Sequence, residues 1–322
     1  MSSPSPQASP AITAIGLRKS YGEHVVLDGI DLAVQPGTVF ALLGPNGAGK
    51  TTTVQILSTL IHPDGGQATL AGYDLNREPA RVREVIGVTG QYSAVDKLLT
   101  GRENLMMMAD LYHLGRARAN ARAQELLEQF ELTEAAGQLA TTYSGGMQRK
   151  LDLAMTLVSN PRIIFLDEPT TGLDPRSRRT VWQIVKDLAR SGVTIFLTTQ
   201  YLEEADQLAD QIALLDHGTL IAQGTPDELK RMIPGGGIRL RFADAAALGQ
   251  ARAVISPPAG TAGQASTVQA DEEALTLEVP TGGSVPELRG ILARLEDHGI
   301  DVAELTVHTP DLDDVFLTLT GH

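Results

Sequence analysis

Residues 39–52 read Val39-Phe40-Ala41-Leu42-Leu43-Gly44-Pro45-Asn46-Gly47-Ala48-Gly49-Lys50-Thr51-Thr52. The first five are apolar and predict a buried strand, and residues 50–60 predict a helix. The eight residues from Gly44 to Thr51 match the phosphate-binding loop G-x-x-x-x-G-K-[ST]. Because that motif requires a strand before it and a helix after it, this run predicts an α/β domain that binds a nucleotide.

The composition of the loop suits a strongly anionic ligand. Gly44, Gly47 and Gly49 allow backbone amides to curl around phosphate groups. The start of the following helix adds free N–H groups and the positive end of the helix dipole. Lys50 supplies a point charge for the outer phosphates, and the Thr51 hydroxyl can bind magnesium. We therefore expect a nucleoside triphosphate with Mg²⁺ at residues 44–52.

A second apolar run, Ile163-Ile164-Phe165-Leu166, ends in the acidic pair Asp167-Glu168. Four consecutive apolar residues indicate a buried parallel strand, and ligands bind at the carboxyl ends of such strands. Asp167 is placed to hold magnesium directly or through water, and Glu168 to act as general base on an attacking water. By itself such a pair is more typical of an acidic turn, but the phosphate-binding loop favours the catalytic interpretation.

Four further motifs occur in a defined order along the chain. They are Tyr21, Gln91 in Val88-Thr89-Gly90-Gln91, the run Ser144-Gly145-Gly146, and the run from Asp167 to Asp174. With them the chain resembles the nucleotide-binding subunit of an ATP-binding-cassette (ABC) transporter over residues 12–232. The resemblance implies the P-loop NTPase fold of an ABC cassette, which is an α/β fold with a helical insertion.

The resemblance also implies a role for each motif. Tyr21 corresponds to an aromatic residue that stacks on adenine, and Gln91 to the Q-loop residue that joins Thr51 and Asp167 at magnesium. Asp174 belongs to the D-loop. These positions extend the expected ATP and Mg²⁺ sites beyond the phosphate-binding loop.

Ser144, Gly145 and Gly146 match the core of the family's signature motif. Serine is a good helix cap, and the apolar spacing that follows predicts a helix with an amide-rich start. By the family resemblance, that start faces the γ-phosphate bound to a partner subunit. The resemblance therefore implies an ATP-dependent head-to-tail homodimer.

Two positions depart from the family pattern. Met147 replaces the last glutamine of the signature, which removes one amide group. Gln200 replaces the switch histidine after the strand-like run of residues 194–199, and glutamine cannot carry a positive charge. We assign Gln200 to γ-phosphate sensing and expect slower turnover. Residues 198–206 also resemble the daunorubicin-resistance-type exporter subunits.

Composition limits the function classes. The formal net charge is −13, which disfavours nucleic-acid binding and adhesion to an anionic membrane. The chain contains no cysteine and no apolar run of eighteen residues. We therefore expect the chain at the cytoplasmic face of the cell membrane, attached through a separate integral membrane permease.

The predicted domain organisation has three parts. Residues 1–10, rich in Ser and Pro, are expected to be disordered. Residues 11–233 form the nucleotide-binding domain, with a helical subdomain at about 92–160. Gly235-Gly236-Gly237 is interpreted as a linker. Residues 234–322 are expected to form a small α+β domain, either regulatory or passively stabilising.

The elements predicted in that last part come from apolar patterns. Strands are expected at residues 238–242, 274–279 and 302–307, and a helix at 285–295. Residues 243–263, rich in Ala, Gly and Pro, are expected to form a loop.

Three functions fit these features. The favoured one is an ATPase subunit that powers export of a drug, lipid or other hydrophobic compound, with Gln91 and residues 92–103 meeting the permease. The alternative is a regulatory or sequestering ATP-dependent clamp with weak hydrolysis. An importer ATPase is disfavoured by residues 198–201 and by the exporter-like tail at 310–321.

Overall fold

The structure, a computed structural model, describes residues 9–90, 94–233, 237–255, 268–281, 285–308 and 311–320. The chain divides into two compact units, residues 1–226 and 227–322. The first unit contains, in chain order, β1 (Ile12–Tyr21), β2 (His24–Val34), β3 (Val39–Leu43), α1 (Lys50–Leu57), β4 (Gly65–Leu70), β5 (Tyr73–Asp74), α2 (Pro79–Val85), β6 (Ile86–Thr89), α3 (Gly101–Leu111), α4 (Arg116–Gln129), α5 (Gly145–Thr156), β7 (Ile163–Asp167), α6 (Pro175–Arg190), β8 (Thr194–Thr199), α7 (Leu202–Leu208), β9 (Gln211–Asp216) and β10 (Thr219–Gly224).

A six-stranded sheet forms the centre of the first unit, in the order β10-β9-β3-β8-β7-β6. All neighbours pair in parallel except β10, which is antiparallel to β9. Strands β3, β7 and β8 are buried along their whole length, as expected for parallel strands with both faces covered. The carboxyl ends of these three strands therefore lie side by side.

A second sheet of four strands, β2-β1-β4-β5, is antiparallel. One hydrophobic core joins it to the central sheet and α1, and includes Leu17, Ile56 and Phe40. Phe40 stacks on Phe196 with ring centroids 5.3 Å apart, and Phe165 lies 5.5 Å from Phe196. These rings anchor β3, β8 and β7 beneath the loops that follow them.

The helical segment between β6 and β7 contains α3, α4 and α5. Thr100 caps α3 in a capping box with Glu103, which satisfies donors at the helix start. Helix α5 begins directly after the Ser144 cap, as the sequence predicts. The expected α/β P-loop architecture is confirmed, whereas the proposed domain limits stay predictions.

The division between the units falls at the start of α8 (Pro226–Met232). The second unit then contains β11 (Gly237–Arg241), α9 (Ala245–Ile255), β12 (Gln269–Asp271), β13 (Thr276–Pro280), α10 (Val285–Asp297), β14 (Glu304–His308) and α11 (Leu312–Thr320). Its sheet has the order β12-β13-β11-β14, with every pair antiparallel.

The loop predicted at residues 243–263 is wrong over its first half, where α9 forms. Alanine is a strong helix former, and the side chain of Asp244 accepts a hydrogen bond from the Ala247 amide at the helix start. Leu248, Ala251 and Ile255 bury one face of this helix in the small core. Residues 256–263 of the predicted loop lie outside the described residues, as do residues 1–8 and part of the proposed linker.

Candidate functional site

The phosphate-binding loop joins β3 to α1 at the carboxyl edge of the central sheet. Its first amide, on Gly44, donates to the Thr199 carbonyl at the end of β8 over 3.3 Å. Gly44, Ala48, Gly49 and Lys50 are buried, whereas Pro45, Asn46 and Gly47 are exposed. Thr51 and Thr52 lie in the first turn of α1. The structure thus presents the middle of the loop and the start of a helix to a ligand.

Steric constraints explain two of the loop glycines. A Cβ atom on Gly44 would lie 2.2 Å from the Leu215 carbonyl oxygen. Gly49 has φ +109°, and a Cβ there would meet the Leu27 side chain at 2.6 Å. Larger residues at either position would displace the loop, because both contacts are far below van der Waals distance. The loop is therefore held against β9 and β2 in a cradle that only glycine permits.

Lys50 is buried at the base of the loop. Its ammonium donates to the carbonyls of Gly44 at 2.8 Å and Pro45 at 3.0 Å. Its Nζ also lies 3.7 Å from Glu168 Oε1, and the two side chains are only 4% and 9% exposed. Burial lowers the pKa of Lys50, and the charges of Glu168 and Asp167 offset part of that effect. An anionic ligand would stabilise this cation further.

The hydroxyl of Thr51 and the carboxylate of Asp167 lie together at the ends of α1 and β7. Thr51 Oγ1 donates to Asp167 Oδ1 over 3.3 Å, and the Thr198 hydroxyl donates to the same oxygen. Hydroxyl and carboxylate oxygens are ligands that Mg²⁺ prefers. No group of three or more His, Cys, Asp or Glu in the described ranges could hold a metal. This pair fits a magnesium ion that takes its remaining ligands from phosphate and water.

Glu168 occupies an unusual backbone conformation directly after β7. Its φ is +48°, in the left-handed region that non-glycine residues rarely adopt. Its amide donates to the carbonyl and the hydroxyl of Thr198, at 3.1 and 3.2 Å. The Thr171 hydroxyl donates to Glu168 Oε2 over 3.2 Å. These contacts orient the carboxylate toward Lys50 at the edge of the phosphate-binding loop.

Gln200 follows β8 directly and is half-buried. The residue before it, Thr199, accepts from the Gly44 amide through its carbonyl, which brings this segment to the phosphate-binding loop. The Thr199 hydroxyl also accepts from the Tyr201 amide at 3.0 Å, and so fixes the turn that contains Gln200. Gamma-phosphate sensing by Gln200 stays a prediction.

Tyr21 ends β1 and is about half exposed, at 52%. The ammonium of Lys19 lies 5.5 Å from its ring centroid. An exposed ring can stack on a base, but adenine binding here stays a prediction. Gln91, expected at ATP and magnesium, lies outside the described residues.

The signature residues form a second cluster at the start of α5. Ser144 and Gly145 are exposed, and the Ser144 hydroxyl accepts from the Met147 amide at 3.2 Å. A Cβ on Gly146 would lie 2.8 Å from the Ser177 hydroxyl. Ser177 itself donates to Asp174 Oδ2 at 2.6 Å. The structure thus brings the signature and Asp174 together through a residue that the sequence reasoning missed.

Asp174 is the cap of α6. Its carboxylate accepts from the amides of Arg176 and Ser177, at 2.9 and 3.0 Å. Hydrogen bonds from Ser177 hold the pKa of Asp174 below its usual value. The run Asp-Pro-x-Ser is a helix-start pattern, so the cap had a readable signal in the sequence. Thr198, the other missed residue, had none, because a threonine in a buried strand is common.

Comparison with known proteins agrees with this geometry. The family model described as ABC transporter matches residues 27–171. Daunorubicin resistance ATP-binding protein DrrA2 of Streptomyces coeruleorubidus is 51% identical over 312 residues, covering 97% of this chain and 95% of that protein. Daunorubicin/doxorubicin resistance ATP-binding protein DrrA of Streptomyces peucetius is 47% identical over 316 residues, covering 98% and 94%.

Solved structures share the fold of the first unit. The structure of an ATP binding subunit of an ABC transporter aligns with a TM-score of 0.62 and 28% sequence identity. The alignment covers 69% of this chain and 92% of that one. The resemblance stated from the motifs is thereby confirmed.

Proposed function

The chain belongs to the family of ATP-binding subunits of ABC transporters and is similar to those of the daunorubicin-resistance type, and we propose that it hydrolyses ATP to power export. The single observation that carries the proposal is the convergence of Lys50, Glu168, Thr51 and Asp167 at one edge of the sheet. The exported compound would be a hydrophobic drug or lipid, in keeping with the named resistance of the relatives.

The residues divide the chemistry between them. The loop amides and Lys50 would bind the phosphates of ATP, while Thr51 and Asp167 would hold Mg²⁺. The metal would supply charge stabilisation at the transferred phosphoryl group. Glu168 would orient the attacking water and accept its proton. Thr171 donates to Glu168 and Thr198 donates to Asp167, so each carboxylate is held by its own hydroxyl group for its own role.

The exposed start of α5 supports a head-to-tail dimer. Ser144 and Gly145 present helix N–H groups to the surface, where they can meet phosphate bound to a second copy. ATP would then be enclosed by the phosphate-binding loop of one copy and the signature of the other. Hydrolysis removes the shared phosphate contact and opens the dimer.

Transport would require a separate permease. None of the described helices is long and apolar enough to cross a bilayer. Leu98 lies in the stretch expected to meet the permease and is 82% exposed, as suits a contact surface. This arrangement would place the chain at the cytoplasmic face of the membrane, next to the permease.

The second candidate is an ATP-dependent clamp that sequesters or regulates, with weak hydrolysis. Gln200 favours it, because a neutral side chain stabilises transferred phosphate less than a cation. Drug-stimulated hydrolysis that requires a membrane partner would favour transport. Direct drug binding by the isolated chain would favour the clamp.

The first experiment measures the mass of purified Glu168→Gln protein with and without Mg-ATP, by light scattering. We expect an ATP-dependent shift from monomer to dimer. The matched control carries Ser144→Arg in addition, which should keep ATP binding but abolish the shift. A monomer that persists although ATP is bound would contradict the proposed closure of two copies.

A further inference from the structure

Glu204 is a buried carboxylic acid that the proposed chemistry does not use. It lies in α7, four residues after Gln200, and is 0% exposed. Its backbone amide donates to the Tyr201 carbonyl at 3.1 Å, which ties it to the turn after β8. Burying a polar side chain is unfavourable unless its hydrogen bonds are made, so this position needs an explanation.

Two buried donors meet at a single oxygen of this side chain. The Thr170 hydroxyl donates to Glu204 Oε1 at 2.8 Å, and the indole Nε1 of Trp182 donates to the same atom at 3.0 Å. Thr170 is fully buried, and Trp182 is 9% exposed. Neither donor can turn to water, so losing Oε1 would leave both unsatisfied.

The two donors belong to segments with different tasks. Thr170 lies two residues after Glu168, and its neighbour Thr171 donates to the Glu168 carboxylate. Trp182 lies on α6, whose first turn packs Ser177 against Gly146 of the signature. Oε1 therefore accepts hydrogen bonds from the turn that contains Glu168 and from α6, which contacts the signature through Ser177. Glu204 itself lies in the helix that follows the Gln200 turn.

Both donors require an acceptor oxygen, which an ionised carboxylate, a protonated carboxyl group and an amide can each supply. Burial raises the pKa of Glu204, and interactions with the side chains of Thr199, Thr170 and Trp182 offset part of the rise. The positive groups that face it are Arg178, which stacks on the Tyr201 ring at 5.2 Å, and Arg149 on α5. An acceptor oxygen is the one property that both donors require.

We propose that Glu204 is a positioning residue that sets the Glu168 turn and the Gln200 turn relative to each other, through Thr170 and Trp182. This inference rests on the proposed ATPase function. We expect Glu204 to affect the rate of the chemical step rather than the affinity for ATP, because the partners of Oε1 are Thr170 and Trp182 and not the phosphate-binding loop or its lysine.

The kinetic test compares three substitutions in the full chain. Glu204→Leu removes the acceptor and should lower kcat about tenfold, while the KM for ATP stays within about twofold. Glu204→Gln keeps Oε1 and should retain wild-type kcat within about twofold. The matched control is Glu203→Leu, because Glu203 is exposed in the same helix and should have no effect on kcat. Wild-type kcat in Glu204→Leu, or equal losses in the Leu and Gln variants, would overturn the proposal.

A second readout uses the one tryptophan of the chain, Trp182. Loss of the indole hydrogen bond in Glu204→Leu should shift its emission to shorter wavelength, whereas Glu204→Gln should leave the emission unchanged. If Glu204→Leu does not fold, the kcat of Thr170→Val tests the proposal instead, because this substitution removes one donor without changing the shape of the side chain. Unchanged kcat in a folded Thr170→Val protein would overturn the proposal.

The two readouts also separate this inference from the proposed function. Emission without nucleotide reports the Glu204–Trp182 contact whether or not the chain hydrolyses ATP. Absence of hydrolysis in the wild type would refute the ATPase function alone. If the wild type hydrolyses ATP but the Trp182 emission of folded Glu204→Leu is unaltered, the positioning role alone would be refuted.

Discussion

The Nζ atom of Lys50 lies 3.7 Å from Oε1 of Glu168, and the two side chains are almost fully buried. The lysine proposed to bind phosphate and the proposed general base are therefore neighbours. The pair offsets part of the cost of burying each charge. In the proposed function the pair would also couple nucleotide binding to catalysis, because phosphate at Lys50 would compete with the carboxylate for the same ammonium.

Glu168→Gln should separate ATP binding from hydrolysis. Glutamine keeps the size of the side chain but cannot accept the proton of an attacking water, so kcat should fall by about 100-fold or more. Phosphate release measures the rate, and equilibrium dialysis with labelled ATP measures binding, which should be retained. The exposed Glu203→Gln serves as control. Full activity in Glu168→Gln would reject the assignment of the general base.

Gln200→His should raise the rate of hydrolysis. A histidine can carry a proton near neutral pH, and a charge-assisted hydrogen bond to phosphate adds about 1 kcal/mol, or about fivefold in kcat. Steady-state phosphate release below and above pH 6.5 tests this, because the gain should shrink as the imidazole loses its proton. An unchanged or lower rate at both pH values would contradict slower turnover by Gln200.

Gly44→Ala should destabilise the fold more than Gly47→Ala. At position 44 the new Cβ meets a backbone carbonyl 2.2 Å away, whereas at position 47 nothing lies within 4 Å. The first change should cost about 3 kcal/mol. The second change should cost about 1 kcal/mol, because alanine is strained in the left-handed backbone conformation at φ +83°. Thermal melts followed by circular dichroism rank the two, and equal melting temperatures would count against the cradle.

Glu204→Gln should become more stable relative to wild type as the pH rises. Because burial raises the folded pKa of Glu204, its contribution to stability is fully present below the unfolded pKa and is lost as pH rises through the folded value. Glutamine does not titrate, so it avoids that loss. Melting temperatures of both proteins between pH 5 and about pH 8 measure the difference. A difference that stays constant with pH would show that Glu204 is ionised at every pH tested.

Local sequence patterns were sufficient to predict three strands of the central sheet, which are β3, β7 and β8. Buried parallel strands such as β3 and β7 need long apolar runs, and those runs are visible without any knowledge of the fold. The glycines of the loop could be assigned for the same reason, since their conformational role depends on near neighbours. The start of α5 could be predicted as well, because serine is a good helix cap.

The role of Glu204 could not be predicted, because its environment is assembled from distant parts of the chain. Thr170 is 34 positions away and Trp182 is 22 positions away. An acidic residue in a polar helix is usually solvated, and the packing of α7 against α6, β3 and β8 buries this one. The ring of Trp182 is buried, and the partner of its N–H group depends on the same tertiary packing.

The close approach of Gly146 to Ser177 restricts how the chain can change over evolutionary time. Any side chain at 146 needs space that the Ser177 hydroxyl occupies, so this hydroxyl would have to turn away from Asp174, to which it donates. The residues that position 146 accepts therefore depend on the residue at position 177. A variant library randomised at both positions should return few survivors, and those should pair glycine at 146 with a small residue at 177.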